Sequence, residues 1–200
     1  MTGKRATKAT EKTRKAVYIA VFAALIAVMA QISIPLPSGV PVTLQTFAIA
    51  FAGFFLGWKY ALASMAIYVA LGAVGVPVFA GFTGGAYKLV NVTGGFIWGF
   101  FALAMMSGLR DCSKEKILPV LCSLVGLALC HLAGVAQYSA LTGNALGASA
   151  LVVSVPYIAK DVLSVLLAAM VARTVSYRLR SPFRRADEGA KIPNQLKNIS

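Results

Sequence analysis

Polar and apolar positions separate along this chain into long blocks. Residues 1–15 are polar and basic, with Lys4, Arg5, Lys8, Lys12, Arg14 and Lys15. Six apolar runs follow: Ala16–Ile34, Val42–Gly57, Ala61–Val76, a fourth from about Leu89 or Val92 to Ser107, Ile117 to about Leu141, and Val155–Val175. A helix of about 20 apolar residues crosses the hydrocarbon core of a bilayer, and a somewhat shorter one does so where the surroundings adapt. The pattern predicts an all-α integral membrane protein with six transmembrane helices. The breaks between runs carry helix-stopping residues. Pro35-Leu-Pro-Ser-Gly-Val-Pro41 cannot continue a helix. Trp58-Lys59-Tyr60 reads as a tight interfacial turn, residues 77–91 as a Gly-rich connector with aromatic residues, 108–116 as a charged turn, and 142–154 as a small-residue connector without charge.

Composition sharpens this reading. The 200 residues are 58% hydrophobic and 12% charged, with mean hydropathy +0.77, whereas soluble domains carry about 25% charged residues. A net charge of +13 would suit nucleic acid if it formed a patch. Instead, every Lys and Arg except Lys88 and Lys160 lies in the N-terminal tail, the Lys59 turn, the 108–116 turn or the tail from Arg173. With six spans, these segments share one side. Basic short loops stay in the cytoplasm, so both termini are expected there, with loops 35–41, 77–91 and 142–154 outside. The chain divides into a basic cytoplasmic tail (1–15), a six-helix membrane domain with an outward-facing ligand site (16–178) and a cytoplasmic C-terminal tail expected to be disordered (179–200). The first apolar run is too long for a typical signal core, so a cleaved signal peptide is not expected.

Charge inside the apolar runs marks candidate chemistry. Lys160 and Asp161 stand near the start of the sixth run. A charge at membrane depth costs about 3 kcal/mol or more, which makes such a residue a functional candidate. Adjacent residues on a helix diverge by about 100°, so the two are expected to face different partners. Lys88 and Asn91 at the start of the fourth span, and Gln45 at the start of the second, reach the same outer region. Irregular backbone near a membrane survives where it lines a cavity or is buried, so the outer loops predict a cavity. Ala16, Ala20 and Ala24 form a small-residue stripe that permits close helix approach, within the chain or with a partner. Cys112, Cys122 and Cys130 have no metal-ligand spacing, and no disulfide is expected. His131 reads as a packed, hydrogen-bonded residue. No catalytic, metal or cofactor constellation emerges, and Gly84-Gly85 lacks the Gly-Lys-Ser/Thr of a phosphate loop. An enzyme is not expected.

Several stretches together carry a family resemblance: Pro35-Leu-Pro37, Val40-Pro-Val-Thr-Leu-Gln-Thr46, Tyr68-Val-Ala-Leu-Gly-Ala-Val-Gly-Val-Pro-Val-Phe-Ala-Gly81, Gly84-Gly85, and Thr93-Gly-Gly-Phe-Ile-Trp-Gly99. From about Ala16 to Arg178 the chain resembles the BioY family, the biotin-binding S components of energy-coupling factor (ECF) vitamin transporters. The resemblance implies an S-component fold in the plasma membrane of a prokaryote and capture of biotin from outside. It also implies energisation by an ECF transmembrane coupling subunit and two ATPase subunits, with Ala16, Ala20 and Ala24 as the partner-docking surface. At three positions the sequence departs from the family pattern: Lys160 stands where the family has Gly, Ser164 where it has Lys, and Val92 where it tends to have Pro. The resemblance carries Asp161 over. Biotin offers two ureido N–H donors, a carbonyl and a carboxylate. Asp161 suits the N–H groups, Asn91 or Gln45 the same ring, and Lys88 or Lys160 the carboxylate. Phe79, Phe82, Tyr87 and Tyr157 suit the apolar wall, and Gly84 and Gly85 belong to the same ligand-binding set. Two other readings stay open: a stand-alone secondary transporter, and an S component for another small vitamin.

Overall fold

The computed structural model describes residues 2–109 and 117–179, with side chains over 11–109 and 117–175. The charged turn at 110–116, Cys112 and the tail from residue 180 lie outside the described residues. All but two very short strands of the secondary structure is helical: α1 (Thr2–Gln31), β1 (Ser33–Ile34), β2 (Val42–Thr43), α2 (Gln45–Leu56), α3 (Trp58–Ala73), α4 (Tyr87–Val90), α5 (Gly94–Ser107), α6 (Leu118–Thr142), α7 (Leu146–Val153) and α8 (Val155–Leu179). Among the described residues, three helical segments are long and apolar enough to cross a membrane: Glu11–Gln31, Leu118–Thr142 and Val155–Val175. The apolar helices α2 and α5 are shorter.

Several segments differ from the sequence expectation. Trp58-Lys59-Tyr60, expected as a turn, is the first turn of α3, the chain reversal being made at Gly57 with its positive φ of 83°. Helix α1 starts at Thr2, inside the segment expected as a tail. Residues 4–15 contain neither Pro nor Gly and are rich in Ala, Lys and Arg, all good helix formers. The 142–154 connector is mostly helix: α6 stops at Gly143, which takes the left-handed conformation (φ 72°), and α7 starts three residues later. Pro35–Pro41 is the turn of a minimal hairpin in which Ser33 pairs with Thr43 and Ile34 with Val42.

Helix α2 is the hub. It contacts α8, α5, α3 and α1, and nearly all of its residues are buried. A short helix that is apolar all round belongs inside a bundle. Phe22 of α1 stacks on Phe55 of α2 at 5.4 Å between ring centroids and meets Phe51 at 5.3 Å. Leu132 of α6, Leu151 of α7, and Leu163 and Met170 of α8 are exposed on the outside of the bundle. Lipid is as apolar as these side chains, so helix association must come from close packing. Helices α5 and α6 achieve it with glycines. A Cβ on Gly95 would stand 2.3 Å from the Ala133 carbonyl oxygen, one on Gly99 2.5 Å from Cys130 Cα, and one on Gly134 2.4 Å from the Phe96 ring.

Candidate ligand-binding site

A cavity of about 330 Å³ lies at the end of the bundle that carries the hairpin. The hairpin and the start of α2 form one side. The 79–83 loop and α4 form another, and the first half of α5, the middle of α6 and the start of α8, with Tyr68 of α3, complete it. Its apolar wall includes Phe79, Phe96, Ile97, Phe100 and Leu127. Phe79 lies across α3 at Gly72, where a Cβ would come within 2.1 Å of the ring, and it meets Tyr68 edge-on at 5.6 Å. The glycine therefore sets how far the aromatic wall recedes. The Gln31 side chain, in the last turn of α1, fixes the loop bearing Phe79. Its Nε2 donates to the Ala27 carbonyl (3.0 Å), to that of Val78 (3.0 Å) and to that of Phe79 (3.3 Å), and its Oε1 accepts from the Phe82 N–H (2.8 Å).

The polar face converges on Asp161, which is buried. Its Oδ1 accepts from Thr46 Oγ1 at 2.6 Å and contacts the Lys160 ammonium, and its Oδ2 lies 3.3 Å from His131 Nε2. Lys160 also donates to the Thr43 carbonyl at 2.7 Å. The expectation that Lys160 and Asp161 face different partners is therefore corrected: they pair. The Lys stem is long enough to fold back along its own turn, and the hairpin carbonyl anchors the ammonium there. A second chain of bonds runs from Thr43 Oγ1 to Gln45 Oε1 (3.0 Å) and from Gln45 Nε2 to the Tyr68 hydroxyl (2.8 Å). The Tyr68 hydroxyl oxygen thus accepts a hydrogen bond from Gln45 and keeps its own O–H to donate. Tyr157 donates to the Val40 carbonyl at 2.5 Å and meets Ser38 Oγ at 3.3 Å, so α8 holds the hairpin turn over the cavity.

Of the residues expected at the site, the cavity brings together Asp161, Lys160, Gln45, Tyr157, Phe79 and Lys88. Lys88 is only partly buried, and its ammonium lies 5.6 Å from the Tyr87 ring. Among the described residues it pairs with no carboxylate. Asn91, Tyr87, Gly84 and Gly85 stand outside the wall, as does Phe82. The exposed Asn91 side chain accepts from the adjacent Val92 N–H at 2.7 Å, and the backbone carbonyl of Asn91 accepts from Gln137 Nε2. Tyr87 is 55% exposed. Gly84 packs on the turn after α3, where a Cβ would lie 2.5 Å from the Val76 carbonyl oxygen, and Gly85 donates its N–H to the Gly72 carbonyl at 2.7 Å. These glycines shape the loop behind the wall. Ala16, Ala20 and Ala24 all lie exposed on α1. Thr43, Thr46, Tyr68 and His131 join the cavity without having been singled out as site residues. Thr43, Thr46 and Tyr68 lie in stretches that carry the family resemblance, while the one sequence signal of His131 is a hydrogen-bonding side chain within an apolar run.

The family model described as "BioY family" matches residues 3–181. The chain is 39% identical over 160 residues to the "Biotin transporter BioY" of Thermotoga maritima, covering 80% of this chain and 94% of that protein. It is 35% identical over 161 residues to the "Probable biotin transporter BioY" of Pyrococcus horikoshii, covering 80% and 95%. It is 32% identical over 178 residues to the "Biotin transporter BioY" of Rhodobacter capsulatus, covering 82% and 93%. A crystal structure of the S-component for biotin from an ECF-type ABC transporter superposes with a TM-score of 0.76 over 84% of this chain and 93% of that chain. At 24% identity that likeness is one of fold.

Proposed function

This chain belongs to the BioY family, and from that membership we propose that it captures biotin at the outer face of the membrane as the substrate-binding subunit of an ECF-type transporter. Its relatives are named as transporters, and it is not an enzyme. The observation that carries the reading is the buried Asp161 carboxylate at the edge of an apolar cavity. A few placed polar groups in apolar walls is how a small-molecule site combines affinity with selection. Biotin's ureido N–H groups suit Asp161, its ureido carbonyl suits the proton that Tyr68 has left to donate, and its thiophane ring suits Phe79 and Phe100. Its carboxylate suits Lys88, because the Lys160 ammonium is already engaged by Asp161 and Thr43. Gln45 acts through Tyr68, and Tyr157 acts by holding the hairpin.

In this reading α1, α2, α3, α5, α6 and α8 are the six crossings. Both termini are cytoplasmic and the hairpin end faces outward, in the plasma membrane of a prokaryote. The membrane domain spans 16–178, flanked by tails 1–15 and 179–200. The exposed stripe of Ala16, Ala20 and Ala24 docks the coupling subunit, which joins the chain to two ATPase subunits. The test is calorimetry on the purified chain in detergent, with riboflavin and thiamin as controls. Selective binding of biotin at about one per chain is expected, and a well-folded sample that ignores biotin overturns the proposal.

A further inference from the structure

The neighbours of Asp161 use its two oxygens unequally. Oδ1 takes both Thr46 and Lys160, while Oδ2 faces only His131 Nε2 at 3.3 Å. His131 is 8% exposed in the middle of α6, and its Nδ1 lies 3.0 Å from Ser154 Oγ, at the break between α7 and α8. These contacts decide which nitrogen carries the proton. A bare Nε2 would point a lone pair at a carboxylate oxygen where little water screens the repulsion. The contacts favour a proton on Nε2, with the Ser154 hydroxyl donating to Nδ1. Lys160 already balances the charge of Asp161, so a neutral ring leaves no uncompensated buried charge. The Nε2–H is off the line of a full hydrogen bond to Oδ2. The contact has room to tighten, as site hydrogen bonds do when a ligand arrives.

We propose that His131 is a positioning residue for ligand capture: its Nε2–H holds the Oδ2 edge of Asp161 from the α6 side and leaves that oxygen one acceptor direction turned into the cavity. The inference rests on the reading that Asp161 receives a ligand N–H. The terminal torsion of an Asp side chain is broad and roughly two-fold. With both strong donors on Oδ1, the carboxylate is gripped on one oxygen and free to turn about it. His131 Nε2 faces the other at 3.3 Å and limits that turn. Ser154 fixes the ring's tautomer, so the α7–α8 break takes part in presenting the acceptor.

His131 is the only histidine in the chain. Protein labelled with ring-¹⁵N histidine, carrying a histidine-free purification tag, therefore gives the signals of one imidazole. Without ligand, a neutral ring protonated on Nε2 is expected, and Asp161→Asn should shift that signal. In biotin binding, His131→Gln keeps a donor at similar reach and should stay within about threefold of the unaltered protein, while His131→Phe should bind about tenfold or more weakly. A ring protonated on Nδ1 alone, a signal blind to Asp161→Asn, His131→Phe binding as tightly as the unaltered protein, or equal losses in both variants would each overturn the inference. If the Phe variant does not fold, the Gln variant and the ring signals decide. If the unaltered protein binds no biotin, the reading of the site falls separately, and the ligand-free ring signals still show whether His131 holds Asp161.

Discussion

Asp161 is the residue on which the site's electrostatics turn. A carboxylate in an apolar helix is tolerated when it is paired and hydrogen-bonded, and this one has Thr46, Lys160 and His131 around it. Asp161→Asn keeps the shape but replaces a charged acceptor with an amide that points a donor into the cluster. Hydrogen bonds to charged groups contribute about 1.5–3 kcal/mol, so biotin affinity should fall roughly ten- to a hundredfold. Lys59→Ala, in the exposed first turn of helix α3 opposite the hairpin end, should leave it unchanged, and calorimetry on the two variants compares them directly. Lys88 allows a sharper chemical test. If its ammonium pairs the ligand carboxylate, Lys88→Ala should weaken biotin binding by about tenfold yet leave the affinity for biotin methyl ester unaltered. An equal loss for both ligands would remove Lys88 from that role. Asp161 was legible in the sequence because a charge inside an apolar run is costly wherever the helix packs. His131 was visible only as a lone polar residue, since its approach to Asp161 across 30 positions is set by how α6 packs against α8. Asn91 and Tyr87 show the converse: residue type suited them to a ligand, and local backbone geometry turned them elsewhere.

At the scale of elements, punctuation by Pro and Gly was the readable part. Gly57 and Gly143, both with positive φ, end helices where the sequence suggests an end. The small, uncharged residues of 142–154 suggest a connector, yet the backbone of 146–153 closes into α7 once Gly143 has turned the chain. The α5–α6 pair depends on an absence of side chain that composition alone does not reveal. Gly95→Leu would drive a branched side chain into the Ala133 backbone. Overpacking costs about 1–3 kcal/mol in a well-packed interior, and more is expected against backbone. A clearly lower melting temperature in detergent, with α-helical circular dichroism retained below it, is the expected result. Helix α1 allows the opposite experiment. Ala20 is exposed, and exposed substitutions usually stay within about 0.5 kcal/mol. Ala20→Trp should therefore keep biotin binding intact and abolish uptake by cells that supply the coupling and ATPase subunits. Loss of binding in the isolated chain would show that the stripe serves the fold itself.

For the whole molecule, the site lies where three irregular segments meet the ends of the helices, and each segment is tied back by a side chain from a distant part of the sequence. Tyr157 secures the hairpin, Gln137 the backbone beside α4 through the carbonyls of Leu89 and Asn91, and Gln31 the loop that bears Phe79. The last of these ties gives α1 a mechanical character. One flank of this helix lies bare, while its final turn grips the aromatic wall of the cavity. A push on the bare flank that swings or rolls α1 would tug at Phe79 through a single amide, as a crank turns a latch. The linkage works in both directions, so an occupied cavity would also resist movement of the helix. Gln31→Leu cuts the connection while keeping the volume near its original. Biotin should then leave the isolated protein faster, and partner-driven uptake should fall by more than the change in affinity explains, which stopped-flow release and cellular uptake measured on the same variant would reveal.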